Sequence, residues 1–227
     1  TNRAMLLQRS YGQWAEKNRE QGKVEGTEPE YLAGSWRPFQ LAFVLVNIKS
    51  ITHPEDDERD IADLLWFPTG GGKTEAYLGI ITFTLAHRRL RNDNPKFRKY
   101  GTAVLMRYTL RLLTIQQFQR AATLMCACEV IRRIDKKKWG DEPFSVGLWV
   151  GLNTTPNALE GERSAEETLR NAKQGSKPKE HNPIQLISCP WCGAKLYDEN
   201  NPFLLKSTYK IGGLPKQLRI FCSNSNC

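Results

Sequence analysis

The sequence lacks any run of about eighteen consecutive apolar residues, which is the length that a membrane-spanning helix requires. We therefore predict no transmembrane helix. It also lacks an initiator methionine, because it begins Thr1-Asn2-Arg3, and no hydrophobic signal core follows. We expect the chain to be an excised or internal piece of a longer protein.

What remains has the composition of a soluble globular protein, with 227 residues of which 40% are hydrophobic and 25% charged. This length predicts one domain with an appendage, or two small domains. The formal net charge of +9 indicates an anionic partner. The excess is local, since residues 87–139 contain fourteen Lys and Arg side chains against three acidic ones. Solvated helix faces are the alternative explanation.

A glycine-rich segment between a predicted strand and a predicted helix is the main motif. It reads Thr69-Gly70-Gly71-Gly72-Lys73-Thr74-Glu75. The apolar run 61–67 precedes it and a helical pattern over 74–90 follows. Glycines leave backbone amides open to a phosphate, and the helix start adds further amides and its positive dipole end. Lys73 can then reach the β- and γ-phosphates of a nucleotide, and Thr74 can offer its hydroxyl to Mg²⁺. Because Phe67 stands where the general motif has its first glycine, a purely structural turn is the alternative.

Two further apolar stretches, 102–106 and 144–151, predict buried strands. A helix is predicted between them, beginning after Arg107 and continuing through Ile131. The order strand-helix-strand-helix-strand predicts an α/β fold with a parallel sheet of the RecA-like type. Further helices are predicted over 1–24, 38–50 and 165–173.

Side chains near these elements suggest ligand contacts. Gln40 follows Phe39 on the helix ahead of the glycine loop, and its carboxamide suits the edge of adenine; an ordinary polar helix position is the alternative. Arg107 follows the second predicted strand. Because ligands meet open α/β sheets at the carboxyl ends of strands, we expect Arg107 at the same edge as Lys73.

Six cysteines fall into two classes. Cys126 and Cys128 lie in a helical pattern, point in different directions and are predicted to be small apolar fillers. The other four form two close pairs separated by a hairpin-like segment, a spacing that predicts a tetrahedral zinc site of the ribbon type. They are Cys189, Cys192, Cys222 and Cys227. Two disulfides or reactive thiols are the alternatives. Basic residues and a tryptophan near these pairs can contact nucleic acid, although a structural role for the module is the simpler interpretation. They are Trp191, Lys195, Lys206, Lys210, Lys216 and Arg219.

Four segments together resemble superfamily 2 helicases and, within them, the helicase subunit of the bacterial DISARM antiphage system. They are Arg37-Pro38-Phe39-Gln40, the run from Phe67 to Glu75, the run from Arg107 to Thr114, and Cys189-Pro190-Trp191-Cys192-Gly193. The resemblance spans roughly residues 31 to 227. It implies that ATP and Mg²⁺ bind at Phe39, Gln40 and residues 69–75, with Lys73 and Thr74 in catalytic roles. It further implies that the DNA backbone is held by Arg107, Thr109, Arg111 and Gln116, and that Zn²⁺ is held by the four paired cysteines.

The resemblance also implies a bacterial cytoplasmic protein with DNA and other subunits of a defence complex as partners, and no membrane. One departure is large: no Asp-Glu-x-x box follows the third predicted strand, although hydrolysis needs such carboxylates. We therefore expect part of a first motor lobe, inactive alone, divided into an N-terminal helix and connector (1–30), an ATP-binding lobe (31–151), a loop-rich insertion (152–185) and a zinc module (186–227). The alternatives are a nucleic-acid- or protein-binding zinc module with a vestigial phosphate loop, and a non-helicase P-loop ATPase.

Overall fold

The computed structural model describes residues 1–68, 70–91, 101–108 and 111–227, without the side chains of residues 111–114. Helices dominate this part of the chain. They are α1 (Asn2–Gln21), α2 (Pro38–Thr52), α3 (Lys73–Leu90), α4 (Arg111–Ile134), α5 (Lys136–Trp139), α6 (Ala165–Lys173) and α7 (Leu204–Thr208), with a 3₁₀ turn at Asp57–Asp60. The predicted helices over 1–24, 38–50, 74–90 and 165–173 and the one through Ile131 are thus confirmed.

Local signals explain where these helices begin. Pro38 opens α2, and its fixed φ suits the first helical turn. Gly72 precedes α3 with a φ of +92°. Ser164 caps α6, since its hydroxyl oxygen accepts a hydrogen bond from the backbone N–H of Glu167 at 3.2 Å. The starts of these three helices are therefore encoded within a few residues of sequence.

The predicted parallel RecA-like sheet is wrong. Within the described residues the sheet consists of two antiparallel strands, β1 (Tyr209–Gly212) and β2 (Gln217–Ile220), paired from Tyr209 with Ile220 to Gly212 with Gln217. The runs 61–67, 102–106 and 144–151 have no strand assignment, and large apolar side chains in them are exposed, including Leu64 at 84%, Leu105 at 81% and Trp149 at 96%. An apolar run indicates a tendency to be buried, but a strand also needs a laterally hydrogen-bonded neighbour.

The described chain divides into two compact units, and the division runs through α1 and α4. Unit 1 comprises residues 1–10, 31–114 and 121–146, and unit 2 comprises 11–30, 115–120 and 147–227. The four-part division of the sequence stays a prediction.

The core of unit 1 joins side chains of α1, α3 and α4, with Leu78 and Leu124 fully buried. Cys128 belongs to this cluster, and burial raises the pKa of its thiol to about 12. It is therefore an apolar filler, as predicted.

A partly buried ion pair lies near the C-terminal end of α4 in unit 1. Arg132 donates from Nε and Nη2 to the two carboxylate oxygens of Glu129, each at 2.8 Å. Its Nη1 group donates to the carbonyls of Gly140 and Asp141 at 3.0 Å, and the Phe144 N–H donates to Glu129 Oε1 at 2.5 Å. The pair therefore attaches the segment 140–144 to the helix.

The core of unit 2 surrounds the β1–β2 hairpin and two of the cysteines. Leu169, Leu196, Leu205 and Tyr209 are almost completely buried there. The Tyr209 hydroxyl donates to the Leu186 carbonyl at 2.6 Å, which satisfies a polar group inside this core.

No helix in the described ranges combines the length and the hydrophobicity that crossing a membrane requires.

Candidate phosphate-binding loop and four-cysteine centre

The glycine loop lies in unit 1 at the start of α3. Gly70 and Gly72 have φ values of +81° and +92°, in the left-handed region that favours glycine. A Cβ atom on Gly71 would lie 2.4 Å from the ring of Phe67, and one on Gly72 would lie 2.7 Å from Nε2 of Gln40. Side chains are thus excluded from the loop at Gly71 and Gly72, which is a property that a phosphate-binding loop needs. Thr69, predicted to belong to this loop, lies outside the described residues.

Gln40 connects helix α2 to the loop, which the sequence did not predict. The side chain is buried, with 5% of its surface exposed. Its Oε1 accepts a hydrogen bond from the Arg37 N–H at 2.9 Å, and its Nε2 donates to the Gly72 carbonyl at 2.7 Å. Arg37 also donates from Nη1 to the Gly71 carbonyl at 2.7 Å. The loop is therefore held by two side chains from the start of α2.

Lys73 and Phe39 both contact Phe67, which precedes the glycines. Lys73 donates from Nζ to the Phe67 carbonyl at 2.5 Å. Phe39 stacks on Phe67 with ring centroids 3.8 Å apart and planes 12° apart. The half-buried Thr74 hydroxyl has no hydrogen-bond partner among the described residues, and Glu75 lies in the first turn of α3. The structure thus brings together Gln40, Phe39, Lys73 and the glycines.

The predicted DNA-binding residues are only partly described. Arg107 is exposed at the end of the segment 101–108 and forms no hydrogen bond or ion pair within the described part of the chain. Gln116 is exposed on α4. Thr109 lies outside the described residues, as does the side chain of Arg111.

The second candidate site is the group of four cysteines in unit 2. Their Sγ atoms all lie within 4.8 Å of one another, with Cys189 and Cys227 3.9 Å apart and Cys192 and Cys222 3.4 Å apart. A tetrahedral ion with Zn–S bonds of about 2.3 Å places its sulfurs about 3.8 Å apart, whereas a disulfide needs about 2.05 Å. All four thiols are free. The cluster therefore has the donor atoms and the size that suit a metal ion such as zinc.

The four neighbouring sulfurs shift one another's pKa values. Hydrogen bonding with Cys189 is the main cause that lowers the pKa of Cys192 far below its ordinary value, and the same neighbour raises the pKa of Cys227. The Asn224 N–H lies 3.4 Å from the Cys222 sulfur, so a backbone amide faces it. The thiolate is the form of cysteine that binds metal ions.

Helix α1 supports the first cysteine pair from the other end of the sequence. The buried side chain of Asn18 donates from Nδ2 to the Cys192 carbonyl at 2.9 Å. Tyr11 stacks on Trp191 with centroids 3.6 Å apart. Gly193 has a φ of +79°, and a Cβ there would lie 2.3 Å from the Ala15 carbonyl oxygen. The helix therefore packs directly on the cysteine turn.

Sequence reasoning missed Asn18, Tyr11 and Arg37 as supporting residues. Arg37 carried a signal, because it stands in the Arg-Pro-Phe-Gln segment that was already singled out. The contacts of Asn18 and Tyr11 had none, because both residues lie in an ordinary helical pattern far from the cysteines.

No protein-family model matches the chain. The chain is 44% identical over 197 residues to the DISARM protein DrmA of Bacillus paralicheniformis. The similarity covers 85% of this chain but 17% of that protein, so the chain spans about a sixth of the length of its relative. The chain is therefore DrmA-like, and it corresponds to one part of a much longer DISARM protein.

Proposed function

We propose that the chain is the nucleotide-binding part of an ATP-driven motor that moves on DNA in a DISARM-type antiphage defence system. The observation that carries the proposal is the side-chain-free glycine loop at the start of α3, followed directly by Lys73 and Thr74. The similarity to a DISARM protein supports the defence setting and a complex with further subunits.

The glycine loop fits the phosphates of ATP, because its glycines carry no Cβ atoms and the first backbone amides of a helix such as α3 have no intrahelical acceptor. Bound ATP would supply the phosphoanhydride bond whose hydrolysis drives movement. Lys73 reaches the loop with its ammonium group and would neutralise phosphate charge there. The Thr74 hydroxyl is the proposed ligand of Mg²⁺.

The adenine-recognition role of Gln40 is compatible with its two backbone hydrogen bonds. A carboxamide oxygen has a second lone pair and the NH₂ group a second hydrogen, so each end can bind one further partner. The stacked rings of Phe39 and Phe67 offer a flat apolar surface at the glycine loop, where Phe67 contacts Gly71 and Gln40 contacts Gly72. Gln40 thereby joins base recognition to the shape of the phosphate loop.

Nucleic-acid contact is proposed for Arg107, Thr109, Arg111 and Gln116. Arg107 has no acidic partner in the described ranges, so its charge is open to a phosphate group. No Asp-Glu-x-x box that could position the attacking water directly follows the run 144–151. We therefore propose hydrolysis for the longer protein and not for the chain alone.

We propose zinc for the four-cysteine cluster. The donor set is entirely thiol, the distances suit a tetrahedral ion, and two of the four cysteines are buried in the core of unit 2. The ion would be structural, because four protein ligands leave no open coordination position.

The test of the motor is the Lys73→Ala substitution in the full-length protein. We expect DNA-stimulated ATPase activity to fall by about 100-fold or more, because a charge that faces the transferred phosphate is lost. Lys49→Ala is the matched control: Lys49 is an exposed lysine on α2 whose ammonium pairs with Asp56 at 3.0 Å. Unchanged activity of Lys73→Ala would sink the motor proposal.

A second candidate function is a nucleic-acid- or protein-binding module in which the phosphate loop is vestigial. The close grouping of the four cysteines favours it. It predicts that Lys73→Ala leaves partner binding and all activity intact while loss of a cysteine removes them. A non-helicase P-loop ATPase is the third candidate. It predicts no DNA binding at low salt, whereas phosphate-dominated binding by the motor should weaken steeply as salt rises.

A further inference from the structure

Unit 2 carries a group of four cations, three exposed and one half-buried, which we call the basic face: Lys206, Lys210, Arg219 and the half-buried Lys173. They lie on four packed elements, since Lys173 ends α6, Lys206 lies in α7 and Lys210 lies in β1 opposite Arg219 of β2. Partial burial and the nearby ammonium groups of Lys206 and Lys210 lower the pKa of Lys173, so the three lysines lie within electrostatic reach of one another.

This face is not neutralised by the protein itself. None of the four cations forms an ion pair with a carboxylate in the described ranges, whereas Lys195, Lys177 and Lys216 nearby in sequence pair with Asp198, Glu199 and Glu160. Lys210 and Arg219 stand directly opposite each other in the ladder, an arrangement in which like charges destabilise a sheet. The fold therefore accepts repulsion that an anionic ligand would relieve.

Two exposed aromatic rings accompany the cations. Phe203 is 65% exposed with Lys206 Nζ 4.5 Å from its ring centroid, and Phe221 is 44% exposed with Lys210 Nζ 5.2 Å from its centroid. Each ring is therefore partly exposed and has an ammonium group over one of its faces. Aromatic rings interleaved with cations bind single-stranded nucleic acid, because unpaired bases stack on the rings while phosphates meet the cations.

Trp191 is not part of this face, although the sequence suggested it as a nucleic-acid contact. It stacks on Tyr11. Lys195 and Lys216 are likewise engaged in ion pairs. The structure thus selects Lys206, Lys210 and Arg219 from the basic residues of the cysteine module.

We propose that the basic face, with Phe203 and Phe221, is a binding surface for single-stranded nucleic acid. A duplex fits less well, since its bases are stacked on each other and cannot cover the rings. The proposal rests on the proposed function only in taking nucleic acid as the partner. The surface itself is separate in sequence from the glycine loop and from Arg107.

The test measures fluorescence anisotropy of a labelled oligothymidylate of about 20 nucleotides, longer than typical binding sites of about 4–16 nucleotides. The assay uses the chain purified with zinc, and no ATP is added. We expect Phe203→Ala to weaken binding about tenfold, through loss of one stacking platform. We expect Lys206→Gln with Lys210→Gln to lower the slope of log affinity against log salt by about 1.4, since each phosphate contact on a single strand contributes about 0.7. Zinc content and far-ultraviolet circular dichroism verify folding.

Lys177→Gln with Lys216→Gln is the matched control, because it removes the same charge from paired lysines of the same unit. Three results would each overturn the proposal. The two double variants could change the salt slope equally, Phe203→Ala could bind the oligonucleotide as tightly as the unchanged chain, or the unchanged chain could fail to bind it at low salt. Tighter binding of a duplex of the same length would do so too, as would a basic-face variant that loses a protein partner but binds the oligonucleotide normally. Lys73→Ala should bind the oligonucleotide like the unchanged chain, so failure of the motor and failure of this surface are distinguishable.

Discussion

Replacing Gly193 by alanine tests how closely α1 is packed on the cysteine turn. The residue has a φ of +79°, and its new Cβ would lie 2.3 Å from the Ala15 carbonyl oxygen and 3.0 Å from Cβ of Asn18. The first of these neighbours is helix backbone, which cannot rotate away as a side chain does. We therefore expect the helix to shift from the turn and to break the contacts that it makes there.

The cost of Gly193→Ala can be estimated from those contacts. A left-handed residue with a Cβ costs about 1–2 kcal/mol, a buried amide left without its partner about 1–3 kcal/mol, and a lost ring stack about 0.5–1.5 kcal/mol. The bond at risk is that of Asn18 to Cys192, and the stack is that of Tyr11 on Trp191. We expect the free energy of unfolding to fall by about 3–6 kcal/mol.

The assay is urea unfolding followed by tryptophan fluorescence, with zinc in constant excess so that metal binding does not vary. Gly175→Ala is the matched control in the same unit, because Gly175 has a φ of +99° but no atom within 4 Å of its Cβ position. It should cost only the strain of about 1–2 kcal/mol. Equal losses in the two variants would refute the inferred packing of α1 on the turn.

Three further predictions concern other sites. Cys192→Ser should reduce bound zinc from one equivalent to a small fraction, measured by elemental analysis, because an alkoxide does not form where a thiolate does. Gln40→Ala should weaken binding of a fluorescent ATP analogue about tenfold in the full-length protein, because the Gly72 carbonyl loses its anchor. Glu129→Gln should lower the free energy of unfolding by about 1–3 kcal/mol at neutral pH and flatten its acid dependence. Burial opposes ionisation of this carboxyl, but hydrogen bonds from Arg132 and Phe144 outweigh burial and lower its pKa, so the stabilisation is present above the ordinary value of 4.5 and is lost as the pH falls through the lowered value.

Each of these predictions has a control. Cys126→Ser, outside the cluster, should keep its zinc, and retention of zinc by Cys192→Ser would contradict the metal assignment. Lys49→Ala should bind the analogue normally, and equal binding by Gln40→Ala would remove its role in the loop. Glu199→Gln breaks the exposed pair with Lys177 and should cost about 0–1 kcal/mol with little change in acid dependence. If Glu129→Gln lowers the free energy of unfolding no more than Glu199→Gln does, the ion pair of Glu129 with Arg132 does not stabilise unit 1.

The helices could be predicted from sequence because their signals are local. Pro38, the glycines before Lys73 and the polar residue ahead of α6 each act on the turn that contains them. The cysteine cluster was predicted for a similar reason, since spacing within each pair brings two sulfurs together. The β1–β2 hairpin lies between the two pairs in sequence and returns the chain, so that the second pair can lie beside the first.

The sheet was predicted wrongly because strands are stabilised by distant partners. Residues 61–67 and 102–106 have the composition of buried strands, yet side chains such as Trp66 and Leu105 are exposed at 88% and 81%. Composition measures how favourable burial would be, and it does not supply the neighbour that makes burial possible. The predicted roles of Thr69 and Thr109 remain predictions, as both lie outside the described residues.

Contacts that depend on distant sequence also explain what was missed at the cysteine site. Tyr11 and Trp191 are both aromatic residues with ordinary surroundings in sequence, and only folding stacks them. Gln40 was singled out for a ligand, whereas its visible hydrogen bonds go to the backbone of the chain itself. Residue type thus indicated where the candidate sites lie, but not which side chains hold the residues of each site in position.

The hydrogen bond from Asn18 to the Cys192 carbonyl joins residues 174 positions apart. A ribosome adding about 5–20 residues per second needs about 10–35 s to make the chain between them. Throughout that interval the C-terminal half of α1 lacks the surface on which it packs, and Trp14 and Tyr11 stay open to other chains. A metal ion bound by the cysteines would also fix the surface on which the C-terminal half of α1 packs, so metal supply would condition the docking of this helix as well as the folding of the module that carries the ligands.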